Sequence, residues 1–298
     1  MSIDHPQASR RALVLGGGGV AGIAWHVGML AEFLEQGIEL GAADLVIGTS
    51  AGSVAASALR FDQIASAYEI QVSPEAPDLP ASGASAPALD MTTFRERIAA
   101  LLEGAEDAQD ARARLGAAAV AAAGESGESG DSVLVPMIEA QFPAEAGWPA
   151  APLGVTVVDA ITGEFRVLDA SSGVPLPRAV AASCSVPLVF PPVDIEGRPH
   201  IDGGMRSATN TDVTEGYDTV LVLACGPEDP ASPLGPQLDE AVETLRANGS
   251  SVLVLTADAD ALEAFGTNSM AATSRIPSAH AGRRQAHEVA ASVREFWG

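Results

Sequence analysis

Short runs of apolar residues, most of them ending at glycine or a small polar residue, punctuate this chain. Residues 11–15 (RALVL), 44–48 (DLVIG), 219–225 (TVLVLAC) and 251–257 (SVLVLTA) are too short for helices and rich in Val and Leu. They read as strands buried on both faces. Residues 21–36 have a helix-like pattern, with Gly37 as the stop, and an Ala-rich helix follows the second strand. The opening is therefore strand, glycine turn, helix, strand, turn, helix. Residues 153–163 and the EFRVLDA run alternate like two strands of a hairpin across Thr162-Gly163. Residues 174–178 lead into a helix-like AVAASCS closed by Pro187, and the tail from Asp258 is mostly helical. Strands alternating with helices predict an α/β fold with a mostly parallel central sheet.

Between the second and third strands the pattern changes. Residues 73–90 are a Pro/Ser/Ala stretch, 91–123 read as helical, and 124–132 (GESGESGDS) are again loop-like. The span 73–150 reads as an insertion over one end of the sheet, in the position of a lid. Residues 1–10 are polar and are expected to be a disordered tail, which leaves 11–298 as a single domain.

Composition narrows the chemistry. Of 298 residues 47% are hydrophobic, enough for a sizeable core. The net charge is −23 and the chain has no lysine. A Walker A lysine, a Schiff base and a Ser–Lys dyad are excluded. The negative charge argues against nucleic acid and against anionic membrane surfaces. Cys184 and Cys225 lack metal or redox spacing and read as small buried residues. There is no signal-peptide pattern and no uninterrupted apolar run of about 18 residues, so a cytoplasmic protein is expected.

Gly48-Thr49-Ser50-Ala51-Gly52 fits G-x-S-x-G between a strand and a helix. A serine on such a tight turn crowds the backbone and requires the flanking glycines. The following helix directs free N–H groups toward a developing oxyanion. Gly17 to Gly22 opens the first helix as an anion-binding nest. It also fits the dinucleotide fingerprint, but Glu39 and Asp44 precede the second strand, where that reading needs an acid after it. His280 or His287 could complete an α/β-hydrolase triad, yet both lie in sequence that reads as a helix surface. Asp202 precedes Gly203 and Gly204, a pair that by itself is an ordinary turn signal.

The glycine loop, the serine turn and the Asp-Gly-Gly run, in this order, resemble the patatin-like phospholipases. Residues 182–193, just before the Asp, resemble the family as well. The resemblance implies a three-layer α/β/α sandwich. It further implies a Ser50–Asp202 dyad without histidine, and an oxyanion hole from the N–H groups of Gly17, Gly18 and Gly19. Gly22, Gly48, Gly52, Gly203 and Gly204 support these motifs. An acyl-enzyme route on lipid or other carboxylic esters is implied, with no metal and no cofactor. Contact with membrane surfaces would be at most transient, and neutral or dispersed substrates fit the charge better. A basic residue often precedes the last glycine of the family's loop, and here that position is Ala21. The family's Asn-Asn-Pro is reduced to Asn210-Thr211. A dinucleotide-binding protein and a catalytically silent member of the fold are the alternatives.

Overall fold

The computed structural model of the chain describes residues 9–76, 91–125, 132–142 and 147–298. The expectation for the N-terminal tail falls almost wholly outside these residues, as do most of the 73–90 and 124–132 loops. The chain begins with β1 (Arg11–Leu15), α1 (Gly19–Glu35), β2 (Leu45–Gly48), α2 (Ala51–Arg60) and α3 (Ile64–Val72). Then follow α4 (Met91–Leu102), α5 (Ala108–Glu125), α6 (Leu134–Glu139), β3 (Leu153–Asp159), β4 (Phe165–Leu168), α7 (Leu176–Ser183), β5 (Val193–Ile195) and β6 (Arg198–Asp202). The last elements are β7 (Thr219–Ala224), α8 (Leu238–Ala247), β8 (Ser251–Thr256), α9 (Ala259–Phe265) and α10 (Arg275–Trp297).

β1 is central, parallel to β2 on one side and β7 on the other, with β3 parallel to β2 and β8 parallel to β7. β4 and β6 run antiparallel to β3, and β5 antiparallel to β6. One face of the sheet, with Leu13, Leu15, Val155 and Val157, packs under α1, α2, α7 and α10. The other face is covered in two places. Ala12, Val14, Val220 and Val222 pack with α8, and Val158, Ala160 and Ile201 pack with Leu115 and Ala119 of α5. This is the expected three-layer sandwich. Gly28 of α1 and Gly282 of α10 let the two helices touch: a Cβ at either would collide with a carbonyl oxygen of the other helix.

The structure adds detail in three places. The helical stretch of 91–123 is divided into two helices, because Gly104 takes φ 70 after α4 and Asp107 accepts the Asp110 N–H at the start of α5. Described helices of the 73–150 span take part in the core. Helix α5 is built into the outer layer, and α6 contributes Leu134, Val135 and Ile138 to the main core. Finally, β5 and β6 form a hairpin across Glu196 (φ 56) and Gly197 (φ 80), a two-residue turn with both φ positive.

The edges of β3 carry the site. Val155 is partnered by both Gly48 and Leu168, and Val157 by both Asp202 and Arg166. β4 therefore takes one edge, and β2 and β6 share the other, meeting end to end. The C-terminal ends of β2 and β6 face each other two positions apart along β3, about 7 Å at strand spacing.

Candidate active site

Ser50 sits in the turn between β2 and α2 with φ 51 and ψ −120. This left-handed conformation is costly for a side-chain-bearing residue, of order 1–3 kcal/mol. The surroundings enforce it. The Thr49 N–H donates to Leu15 O at 3.0 Å, carrying the chain across the end of β1. The Ser50 N–H donates to Ser183 Oγ at 2.9 Å, and the Ser53 hydroxyl donates to Ser50 O at 2.7 Å. The motif glycines have plain steric reasons. A Cβ on Gly52 would collide with the Leu15 carbonyl, and one on Gly48 would meet the Ser53 backbone at 2.5 Å.

Asp202 ends β6, its N–H donating to Ser185 O at 3.0 Å. Gly203 lies so close to Thr156 that no side chain fits, and the Gly204 N–H donates to Asp202 Oδ1 at 2.7 Å. Asp202 is 2% exposed, and the Ser50 side chain lies close enough to bear on its ionisation. Burial pushes its pKa up from 3.8 to about 7, against the Ser50 side chain and the Gly204 N–H, which pull it down. A carboxylate with a pKa near neutrality is a far better proton acceptor for a serine than a solvated one. The structure thus brings Ser50 and Asp202 side by side at the facing ends of β2 and β6.

The glycine loop lies beside this pair, since a Cβ on Gly17 would stand 3.5 Å from Ser50 Cβ. Gly17 itself must be corrected as an oxyanion donor, because its N–H is taken by Ala208 O at 2.7 Å. Among the described residues the N–H groups of Gly18 and Gly19 have no protein acceptor, nor has that of Ala51, first in α2. Gly18 is required because a Cβ would sit 2.5 Å from Cys225 Sγ, and Gly19 because its φ is 63. Gly22 brings α1 against Ala51 and Cys225.

No histidine among the described residues is hydrogen-bonded to Ser50 or Asp202. His280 meets the Tyr68 hydroxyl and His287 the Glu32 carboxylate, while His200 sits between Arg198 O and Arg166. His26 is buried, donates to Leu223 O at 3.3 Å, and is pushed down to about pKa 4 by burial. The acid that a dinucleotide would need is also misplaced. Asp44 accepts the Arg11 N–H at the start of β1, the opposite end of the strand from the glycine loop. No three His, Cys, Asp or Glu side chains are gathered as a metal ligand set among the described residues. No described helix is long and apolar enough to cross a membrane.

Sequence reasoning missed three neighbours of the pair. Ser183 ends α7 and holds the Ser50 amide. Cys184 is half-buried next to Ser50 and Ser53. Its pKa is pushed up to about 12 by burial and by the Asp202 charge, which keeps it a neutral thiol. Asn210 is buried and left-handed, with φ 51 and ψ 39. The departure of Asn210-Thr211 from Asn-Asn-Pro marks that loop in the sequence, but not the role of the side chain.

A family profile described as patatin-like phospholipase matches residues 13–214. A search of curated proteins finds no match. Among solved structures the chain is similar to VipD from Legionella pneumophila, at 14% identity and TM-score 0.43, covering 96% of this chain and 67% of that one. It is similar to full-length ExoU of Pseudomonas aeruginosa, solved with SpcU, at 18% identity and TM-score 0.43, covering 97% and 53%. A second structure of the type III effector ExoU matches at 13% identity and TM-score 0.41, covering 98% and 54%. The chain thus spans about half the length of the ExoU chains. With the glycine loop, the serine turn and the Asp-Gly-Gly loop all inside the matched span, this chain belongs to the patatin-like phospholipase family.

Proposed function

We propose that the chain hydrolyses carboxylic esters of lipids through an acyl-enzyme, with Ser50 as nucleophile and Asp202 as its base. The observation that carries this reading is the meeting of Ser50 with the buried Asp202 where the ends of β2 and β6 face each other along β3, with the free amides of the glycine loop alongside. Ser50 Oγ attacks the ester carbonyl carbon, and its proton passes to the Asp202 carboxylate. The N–H groups of Gly18 and Gly19 receive the developing oxyanion. A well-placed donor of this kind contributes about 2.7–4 kcal/mol to the barrier. Collapse breaks the ester C–O bond, and Asp202 returns the proton to the leaving alcohol. Water then attacks the acyl-serine, again giving its proton to Asp202. Release of the carboxylic acid restores the Ser50 hydroxyl.

An apolar acyl chain would lie against the apolar residues that follow Ser50. Val54, Ala58 and Phe61 run along α2 away from Ser50 as partly buried apolar residues, and Phe61 meets Phe142 edge to face at 6.0 Å. The test is rapid-mixing kinetics on p-nitrophenyl esters of increasing acyl length. Wild type should give a stoichiometric burst of nitrophenol, and Ser50→Ala none. A Ser50→Ala protein that turns over at the wild-type rate would sink the proposal.

A further inference from the structure

The two loops that bring Ser50 and Asp202 together have no covalent link near the site, and both are held by one side chain. Asn210 Nδ2 lies 3.1 Å from Thr49 Oγ1, 3.4 Å from Thr156 Oγ1, 3.2 Å from Gly203 O and 2.9 Å from Ser207 O. Thr49 precedes the serine, Thr156 lies between the strand ends on β3, and Gly203 follows the aspartate. Thr156 also donates to Thr49 Oγ1 at 2.8 Å. The amide is oriented in turn, because Arg206 Nη1 donates to Asn210 Oδ1 at 3.0 Å and Arg206 is paired with Asp212.

The geometry points to Asn210 as a positioning residue that sets the orientation of the Asp202 carboxylate relative to Ser50. This rests on the dyad reading above. The peptide between Gly203 and Gly204 is the lever. Its carbonyl oxygen accepts from Asn210, and its N–H donates to Asp202 Oδ1 at 2.7 Å. In a trans peptide these two groups point in opposite directions within one plane, so fixing the oxygen fixes the N–H. Asn210, together with the Arg206 N–H that donates to the same oxygen at 3.1 Å, therefore holds the donor that favours the ionised form of Asp202. The same amide anchors Thr49 and with it the start of the serine turn. Asparagine suits the position because it tolerates the left-handed backbone and has two donors to share among the four oxygens.

Burial and Ser50 act more strongly on the Asp202 carboxyl, and the Gly204 N–H is the backbone donor that favours its ionised form. From α7, Cys184 faces it as a neutral thiol. From the α2 turn it meets the Ser50 hydroxyl. Arg206, on its own loop, is committed to Asp212, and Arg166, across β3, to His200.

The experiment compares wild type, Asn210→Gly, Asn210→Asp and Ser50→Ala on p-nitrophenyl butyrate across the pH range around neutrality. Thermal melting and fluorophosphonate labelling rates are measured alongside. Glycine keeps the left-handed backbone and removes only the amide. A kcat loss of about tenfold or more is expected for Asn210→Gly, with KM within about twofold. The midpoint of its pH–kcat profile should move to higher pH, since the Gly204 N–H is no longer aimed at Asp202. Asn210→Asp keeps size and backbone but replaces the donors with acceptors, so it should lose at least as much. If Asn210→Gly does not fold, Asn210→Asp supplies the same two readouts. Wild-type kcat and an unmoved midpoint in the folded variant would overturn the positioning role. That result, with wild type labelled at Ser50, leaves the dyad standing. A wild type not labelled at Ser50 removes the dyad and this inference together.

Discussion

Replacing Asp202 by Asn should make the protein more stable while it abolishes turnover, and the size of the gain follows from burial. The carboxyl moves from an ordinary pKa of 3.8 to about 7 in the folded chain. Between those values the folded state keeps a proton that the unfolded state has released. The unfolded chain thus binds fewer protons, and stability falls as pH rises. The cost is absent below the lower value and complete above the upper one. About three pK units at ~1.36 kcal/mol each give a total on the order of 4 kcal/mol. Asn is nearly isosteric and uncharged, so it removes this cost, less whatever its amide loses by poorer hydrogen bonding, about 1 kcal/mol or more. Urea denaturation followed by tryptophan fluorescence, at about pH 4 and about pH 8, reads the difference. The variant should fall about 1 kcal/mol below wild type at the acid end and exceed it by about 2–3 kcal/mol at the alkaline end. A difference that does not grow with pH would refute the reasoning, because it would mean that Asp202 is not ionised at a cost in the folded state.

Further expectations follow from the same geometry. The kcat of wild type should rise with pH through a single ionisation near 7, since only the carboxylate of Asp202 can take the serine proton; a flat pH–rate profile over this range would contradict it. His26 works in the opposite direction to Asp202 on stability. Its pKa falls from 6.5 to about 4, the unfolded chain binds more protons in that window, and stability is lost on acidification, by ~3 kcal/mol. His26→Gln should flatten the acid limb in the same denaturation series. Ser50→Gly should be more stable than Ser50→Ala by about 1 kcal/mol, because only glycine relieves the positive φ; equal melting curves would show that the turn is unstrained. Gly18→Ala forces a methyl into Cys225 Sγ and should lower kcat by about 10²-fold or more through the oxyanion donors, read by steady-state kinetics.

The serine turn was legible because its requirements are local. Glycine two residues either side of Ser50, a strand before and a helix after are all written within residues 44–60, and the structure gives each glycine a steric reason. Asp202 was not legible in that way. Asp-Gly-Gly is a common turn, and what brings it to Ser50 is the register of β3, whose one edge carries both β2 and β6. A register across more than 100 residues of sequence leaves no local trace, so only the resemblance to a family reached it. The β5–β6 hairpin escaped notice because its short strands, VDI and RPHID, are too polar for the buried-strand pattern. Ser183, Cys184 and Asn210 gain their places only through tertiary packing. The glycine loop was legible as a nest of amides, but which amides stay free depends on Ala208, nearly 200 residues away, and this is what removes Gly17 from the donors.

The central claim is that Ser50 is a nucleophile activated by Asp202. The most direct test is covalent labelling with a fluorophosphonate, read by intact mass and peptide mapping on wild type, Ser50→Ala and Asp202→Asn. A single adduct on Ser50 in the wild type, absent from Ser50→Ala and strongly slowed in Asp202→Asn, is the predicted result. A folded wild type that takes up no label, or an Asp202→Asn variant labelled as fast as wild type, would contradict it.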